Sequence, residues 1–380
     1  MAKCTKDTGK FECDTDLHGL GHAAKVCCKD VLGLKKGERM LIITNPQKDV
    51  RMISLSLYDA ALDMGARPTI LFQPKKTQLD FAEDEVLAAV ASNPEVILSI
   101  SAEKLGKDPK GMKKPYKLGK VGIDHIFTYL LAAKKIRSFW SPTITVEMFR
   151  KTTPIDYACL RSRAKALGKI LDRAEEVRIT APGGTDLVIG LRGRKAKADD
   201  GDFRKPGTGG NIPCGEVYIS PELGASKGVI AFDGSISATE GVILIKRPIV
   251  CTVKGGFVKK IEGGPEAKEL RAAVKRGEDL AHEMAKQGKL PKASEADYAK
   301  NACNLGELGI GLNEAAEIVG NMLEDEKVLH TCHIAIGANY DEDAKALIHL
   351  DGLIRDPTMV AKLPGGKKRT FMKDGELALD

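Results

Sequence analysis

The residues able to do chemistry gather late in the chain. Three of its seven histidines, His330, His333 and His349, stand close together there. In Leu347-Ile348-His349-Leu350-Asp351 an imidazole and a carboxylate lie two apart in an apolar run. On a strand, positions i and i+2 share a face, so both groups would meet one point in space. Neither is stable when buried without a partner or a metal. A pair of metal ligands satisfies that requirement, and so does a His–Asp hydrogen bond at a strand end. Cys332-His333-Ile334-Ala335-Ile336-Gly337 is a second strand-like run, followed by Tyr340. His333 shares its face with Ala335 and Gly337, whose small size leaves room beside the ring for an ion or a substrate. A hydrogen-bonded core histidine and a packing tyrosine are the competing assignments.

Two glutamates have a similar setting. Glu216 follows Gly215 at the start of an apolar strand, and Glu307 sits among Gly306, Gly309 and Gly311. A glycine at such a point lets the backbone bend and another group approach closely. An edge-strand glutamate and a turn glutamate are the simpler alternatives. Together, Glu216, Glu307, His333, Tyr340, His349 and Asp351 occupy four apolar, glycine-punctuated runs. Carboxylates and imidazoles with a phenol suit Zn²⁺, Co²⁺ or Mn²⁺. Three carboxylates offset much of the charge of two divalent ions, and one of them can bridge the pair.

The elements that must position these groups read as two domains. Leu41–Thr44, Thr69–Phe72 and Val96–Ile100 are strand-like, with helical spacing over Asp49–Met64 and Asp84–Ala91 between them. That alternation implies a parallel sheet with helices on its faces. No G-x-G-x-x-G follows the first strand, so nothing points to a dinucleotide. A long helix is expected over Ile155–Ala174. After it the texture changes to short strands over 177–180, 187–189, 229–232, 242–245 and 249–253, broken by Gly and Pro, with one clear helix at Glu266–Gln287. The expectation is an N-terminal α/β domain over 1–172 and a β-rich α+β metal-binding domain over 173–380.

Bulk properties agree with this division. A chain of 380 residues, 43% hydrophobic and 29% charged, has the size of two globular domains. No apolar stretch approaches the ~20 residues of a membrane helix, and Met1-Ala2-Lys3-Cys4-Thr5-Lys6-Asp7 lacks the apolar run of a secretory signal. The expected setting is the cytoplasm, without a membrane partner. Nine cysteines, an odd number with no C-x-x-C and with Cys27 next to Cys28, read as reduced thiols. The net charge of +7 comes largely from Lys104–Lys120 and Lys362–Lys373. Both stretches read as solvated basic loops, with no nucleic-acid partner.

The four late runs, in their order and with the His-x-Asp pair, resemble the metal-ligand motifs of the thermophilic-type metallo-aminopeptidases, the aminopeptidase T family. Lys35-Lys36-Gly37-Glu38, Met64-Gly65-Ala66 and Gly184-Thr185-Asp186-Leu187 add to the likeness, which spans most of the chain. The resemblance implies two divalent ions held by Glu216, Glu307, His333, Tyr340, His349 and Asp351. It implies a general base in Glu324-Asp325-Glu326-Lys327, with Glu326 the closest match, and a further catalytic role for Tyr340. It also implies homodimers and release of N-terminal residues from peptides with a free N-terminus. The segment between Tyr340 and His349 is shorter than in typical members.

Two rivals remain. A ring-cleaving dioxygenase of dihydroxypyridines resembles the aminopeptidase fold, and His333, His349 and Asp351 supply the two histidines and one carboxylate of a mononuclear Fe(II) site. A single iron would not require Glu216, Glu307 and Tyr340. The second rival is a non-catalytic binding protein on the same fold.

Overall fold

A computed structural model describes residues 19–77 and 80–379. The N-terminal heptapeptide Met1–Asp7 lies outside the described residues. The chain divides into two compact units: Met1–Tyr157 with Gly201–Cys214, and Ala158–Asp200 with Gly215–Asp380. The helix Tyr157–Leu171 therefore groups almost entirely with the second unit, fifteen residues before the division expected at 172/173. The segment 201–214 returns to the first, which no linear boundary can express.

The first unit is built on five parallel strands, in the order Gly209–Asn211, Arg137–Pro142, Val96–Ser101, Arg39–Thr44, Arg67–Phe72. Its central strands are covered on both faces, as parallel sheets require: Leu41, Ile42 and Ile43 are all buried, and so are Val96, Ile97 and Leu98. On one face Leu41, Ile43 and Ile97 pack with Val86 and Val90 of the helix Asp84–Ala91 and with Leu130 of the helix Ile126–Ala132. Each such side chain contributes ~1.5–3 kcal/mol when fully buried. The helix Lys48–Asp63 ends where the sequence places its stop. Gly65 has φ 75°, its N–H donates to Leu62, and the Ala66 N–H reaches back to Ala61, a left-handed cap that a side chain would strain. The three expected strands are present. The other two, Arg137–Pro142 and Gly209–Asn211, extend the sheet on the side of Val96–Ser101.

The second unit contains two antiparallel sheets. The eight-stranded one runs Phe257–Glu262, Ile249–Lys254, Lys227–Phe232, Asp186–Gly190, Glu176–Thr180, Thr358–Lys362, Lys368–Lys373, Glu376–Leu377. The seven-stranded one runs Gly241–Leu244, Ser235–Ala238, His349–Arg355, Thr331–Gly337, Leu305–Gly311, Glu216–Ile219, Lys197–Asp199. Its middle strands Leu305–Gly311 and Thr331–Gly337 are buried at every position. The helix Pro265–Lys286 carries Leu270, Ala273, Val274 and Ala281 on its buried stripe, one residue offset from the expected span. The fold is thus α/β, with a parallel-sheet first unit and a β-rich second unit. Among the described residues, no helix is long and apolar enough to cross a membrane.

Candidate metal centre

The seven-stranded sheet brings the expected ligands to one face. Register sets this: Glu216 pairs with Gly311, His333 with Gly309, Asp351 with Ala335, which also pairs with Glu307, and His349 with Gly337. Cross-strand partners point the same way. Leu353 faces His333 from one side, but on the other side Gly309 stands opposite it, Gly337 stands opposite His349, and Ala335 lies between the Glu307 and Asp351 carboxylates. At Gly309 the small size is required. A Cβ there would lie 1.9 Å from His333 Nε2, so only glycine leaves the imidazole its place. Gly215, at φ 129°, lets the backbone pass Asn313 where a Cβ would come within 2.8 Å of the Asn313 side chain. Both glycines do what their positions in the sequence imply.

Two clusters result, Glu216 with Glu326 and His333, and Glu307 with His349 and Asp351. Glu307 faces both histidines: Oε1 lies 3.4 Å from His333 Nε2 and Oε2 lies 3.2 Å from His349 Nε2. His333 Nε2 is also 3.4 Å from Glu216 Oε2, and His349 Nε2 is 3.2 Å from Asp351 Oδ1. His333 and His349 fall in different clusters, so the structure does not gather them with Asp351 as a single two-histidine triad.

Several of these atoms are made for a cation. Glu216 Oε2 in the first cluster and His349 Nε2 and Asp351 Oδ1 in the second are buried and lack a hydrogen bond, a costly state for polar atoms. His349 Nδ1 lies 2.8 Å from the Ala338 carbonyl oxygen. Donation there leaves Nε2 with its lone pair toward the carboxylates, the arrangement of a metal-bound imidazole. The carboxylate cage also draws positive charge inward. Burial disfavours a charged ring at His333, but Glu307, Glu216 and Asp351 outweigh it and raise the group to about 9. Burial likewise works against the Glu307 carboxylate, yet His333 and His349 hold it down to about 2.

The first cluster already has a cation. Lys327 is fully buried, and its ammonium donates to Glu216 Oε1 at 2.6 Å and to Glu326 Oε1 at 2.7 Å, with Asp199 Oδ2 at 3.6 Å. Asp199 pairs with Glu216 on the edge strand. Burial raises the Glu326 carboxyl to about 8, Lys327 pulls it down, and Glu216 and Asp351 push it up. Burial among carboxylates thus favours the protonated form of Glu326, against the pull of Lys327. Neither Lys327 nor Asp199 stands out as a site residue in the sequence. Lys327 reads as the end of an acidic run, and a lysine is almost never fully buried unless paired.

Tyr340 is placed beside the centre, about half exposed. Its ring centroid is 5.1 Å from that of His349 and 5.2 Å from that of Tyr218, and its backbone oxygen accepts from Lys197 Nζ at 2.7 Å. Its ring packs as an aromatic wall, while its phenol is pushed well up by burial and by the nearby Glu307, Asp351, Glu326 and Glu216 carboxylates. His330, the third late histidine, lies away from the clusters against the Gly375 carbonyl oxygen at 3.1 Å.

The fold is shared with solved structures, among them two enzymes. The 2,5-dihydroxypyridine dioxygenase from Pseudomonas putida KT2440 superposes with a TM-score of 0.70 at 16% identity, over 94% of this chain and 96% of that one. AmpT from Thermus thermophilus superposes with a TM-score of 0.63 at 19% identity, over 94% of this chain and 98% of that one. At these identities the likeness is one of fold. A family model described as NicX, 2,5-dihydroxypyridine 5,6-dioxygenase, matches residues 145–333, just under half of the chain. No curated protein matches it. The expected aminopeptidase T architecture is therefore present, and a dioxygenase shares it.

Proposed function

We propose that this chain is a metal-dependent enzyme that holds one catalytic divalent ion, Fe(II), and cleaves a dihydroxylated aromatic ring with dioxygen. Lys327 carries the reading. Its ammonium occupies Glu216 and Glu326, so one of the two clusters is already served by a positive charge. Glu307, His349 and Asp351 remain as the cluster in which no lysine stands, with two of its ligand atoms lacking a hydrogen bond. The dioxygenase family model over residues 145–333 supports the same chemistry.

When bound, the ion supplies a redox centre through which ring and dioxygen exchange electrons. The protein's own groups do the rest. The Ala338 carbonyl fixes the His349 ring. Tyr340 and Tyr218 offer aromatic surface to a planar substrate beside His349. Glu326, whose burial among carboxylates favours its protonated form, would exchange a proton with a ring hydroxyl.

A second reading keeps its own observation. Glu307 presents one oxygen to each histidine, the disposition of a carboxylate that bridges two ions. With Zn²⁺, Co²⁺ or Mn²⁺ in both clusters the fold would serve an aminopeptidase acting on peptides with a free N-terminus, with Glu326 as general base.

The deciding measurement is metal content per chain after loading with Fe(II) or Zn²⁺, read beside two assays. One ion per chain, with dioxygen and a dihydroxypyridine or catechol consumed one for one, supports the dioxygenase. Two ions with hydrolysis of amino-acid p-nitroanilides replaces it by the aminopeptidase. Bound metal with neither activity leaves the binding-protein reading.

A further inference from the structure

The first unit contains a cavity of about 700 Å³ that has no part in the metal centre. It opens outside the carboxyl ends of three parallel strands. Ser99 and Ser101 come from Val96–Ser101, Trp140 from Arg137–Pro142, and Asn211 from Gly209–Asn211. This is where open parallel sheets take their ligands, because no helix covers the strand ends there. The volume lies in the range of small-molecule sites.

Its lining specifies the ligand. Trp140 and Phe127 meet edge to face, centroids 6.0 Å apart at 84°, and Leu105 and Leu131 complete an apolar wall. Trp140 is only partly covered, so its ring is available to a planar molecule. The polar lining lies at the strand ends. The Ser99 and Ser101 hydroxyls are buried and 2.9 Å apart, two groups able to turn toward one acceptor. The charged lining is cationic in balance. Glu103 is engaged by Lys75 at 2.9 Å and Asp80 interacts electrostatically with Lys107, so Lys104 and Lys107 are the cationic members of the lining. His125 is fixed, with one ring nitrogen on the Gly106 carbonyl oxygen and the other accepting from the Phe127 N–H, both at 3.1 Å.

From this arrangement we infer that the first unit binds a small planar aromatic anion, its ring against Trp140 and Phe127 and its carboxylate toward Lys104, Lys107 and the serine pair. The inference does not rest on the metal chemistry.

The chain's only tryptophan lines this cavity, so its emission reports directly on occupancy. The test is a fluorescence titration of the full, chelator-treated chain with benzoate, benzamide and cyclohexanecarboxylate, repeated by calorimetry. Benzoate should change Trp140 emission saturably. The neutral ring and the non-planar anion should each bind at least about tenfold more weakly, a difference of ~1.4 kcal/mol. The double variant Lys104→Gln, Lys107→Gln, altered only at the rim, should lose about tenfold for benzoate while keeping its thermal midpoint. Trp140→Phe should retain calorimetric binding of benzoate, weakened. Three results overturn the proposal: no saturable change with benzoate, benzamide binding as well as benzoate, or undiminished benzoate binding by the double lysine variant. Because the protein is free of metal throughout, the outcome is separate from the fate of the dioxygenase reading.

Discussion

The parallel sheet of the first unit and the seven-stranded sheet of the second handle polar side chains in opposite ways. In the first, the central strands are mostly apolar, with buried hydroxyls such as Ser99, Ser101 and Ser138 among them, and the lysines and Asn211 lie toward the carboxyl ends of the strands. The buried charge on these strands, Arg137 at the start of Arg137–Pro142, is paired with Glu38. In the second, four carboxylates and two imidazoles stand in or against the middle of one buried face. Such a face is stable only with compensation. It has three devices: a glycine on one side of each imidazole, the internal cation Lys327, and a set of lone pairs that a metal ion satisfies. A site at the end of a sheet is cheap and adaptable, and a site on its face is rigid and dependent on partners.

Removing the ion's ligands should have the largest effect. Asp351→Asn and His349→Ala are each expected to weaken metal binding by at least about 100-fold and to abolish turnover, measured by competition with a chelator. If the variants retain metal at wild-type affinity, the Glu307–His349–Asp351 cluster is not the centre. Next comes the internal cation. Lys327→Met leaves Glu216 and Asp199 buried without their partner, and urea unfolding should show a loss of ~3–5 kcal/mol. The same variant sharpens the functional question. If Lys327 stands in for a second ion, Zn²⁺ should restore much of that loss, with two ions per chain where the parent binds one.

A purely steric test follows. Gly309→Ala drives a methyl group into the His333 imidazole, and ~1–3 kcal/mol of destabilisation is expected. His333 is then displaced, and the proton resonances of its ring should shift. No change in either observable would mean that the close approach does not matter. The smallest effect belongs to the first unit. Burial raises the Glu38 carboxyl, but its hydrogen bonds and charge pairing with Arg137 hold it below the usual carboxylate range. A depressed folded value stabilises above the unfolded pKa of ~4.3, and that contribution disappears as pH falls through the folded value. The urea midpoint should therefore decline below about pH 4.3, and Glu38→Gln should flatten that decline while lowering the plateau.

The unequal legibility of the two sheets has the same origin. On the ligand face, period-two spacing and small neighbours are local signals. His349-x-Asp351 and His333-x-Ala335 announce a shared face before any partner strand is known. What the spacing cannot supply is the division of the residues between two clusters, because that depends on the register of Leu305–Gly311 against Thr331–Gly337 and on its bulge near Glu307. Lys327 escaped for a different reason: its burial follows from Glu216, Glu326 and Asp199 meeting around it, and two of those are far away in sequence. In the first unit, three strands were visible from their apolar runs and helical intervals. Gly209–Asn211 was not, since a three-residue, glycine-rich strand has no hydrophobic pattern and gains its identity only by pairing with Ser138–Trp140.

That late-arriving strand has a consequence for biosynthesis. As the chain leaves the ribosome, the strand Arg137–Pro142 emerges with one edge still open. Its partner follows only after the helix Tyr157–Leu171 and the strands Glu176–Thr180, Asp186–Gly190 and Lys197–Asp199 have been translated. For several seconds at ordinary elongation rates, the nascent first unit carries an unpaired edge of the kind that recruits foreign strands. The interval is a vulnerable period for the nascent chain, and a stalled or truncated product ending before residue 209 would carry that edge permanently.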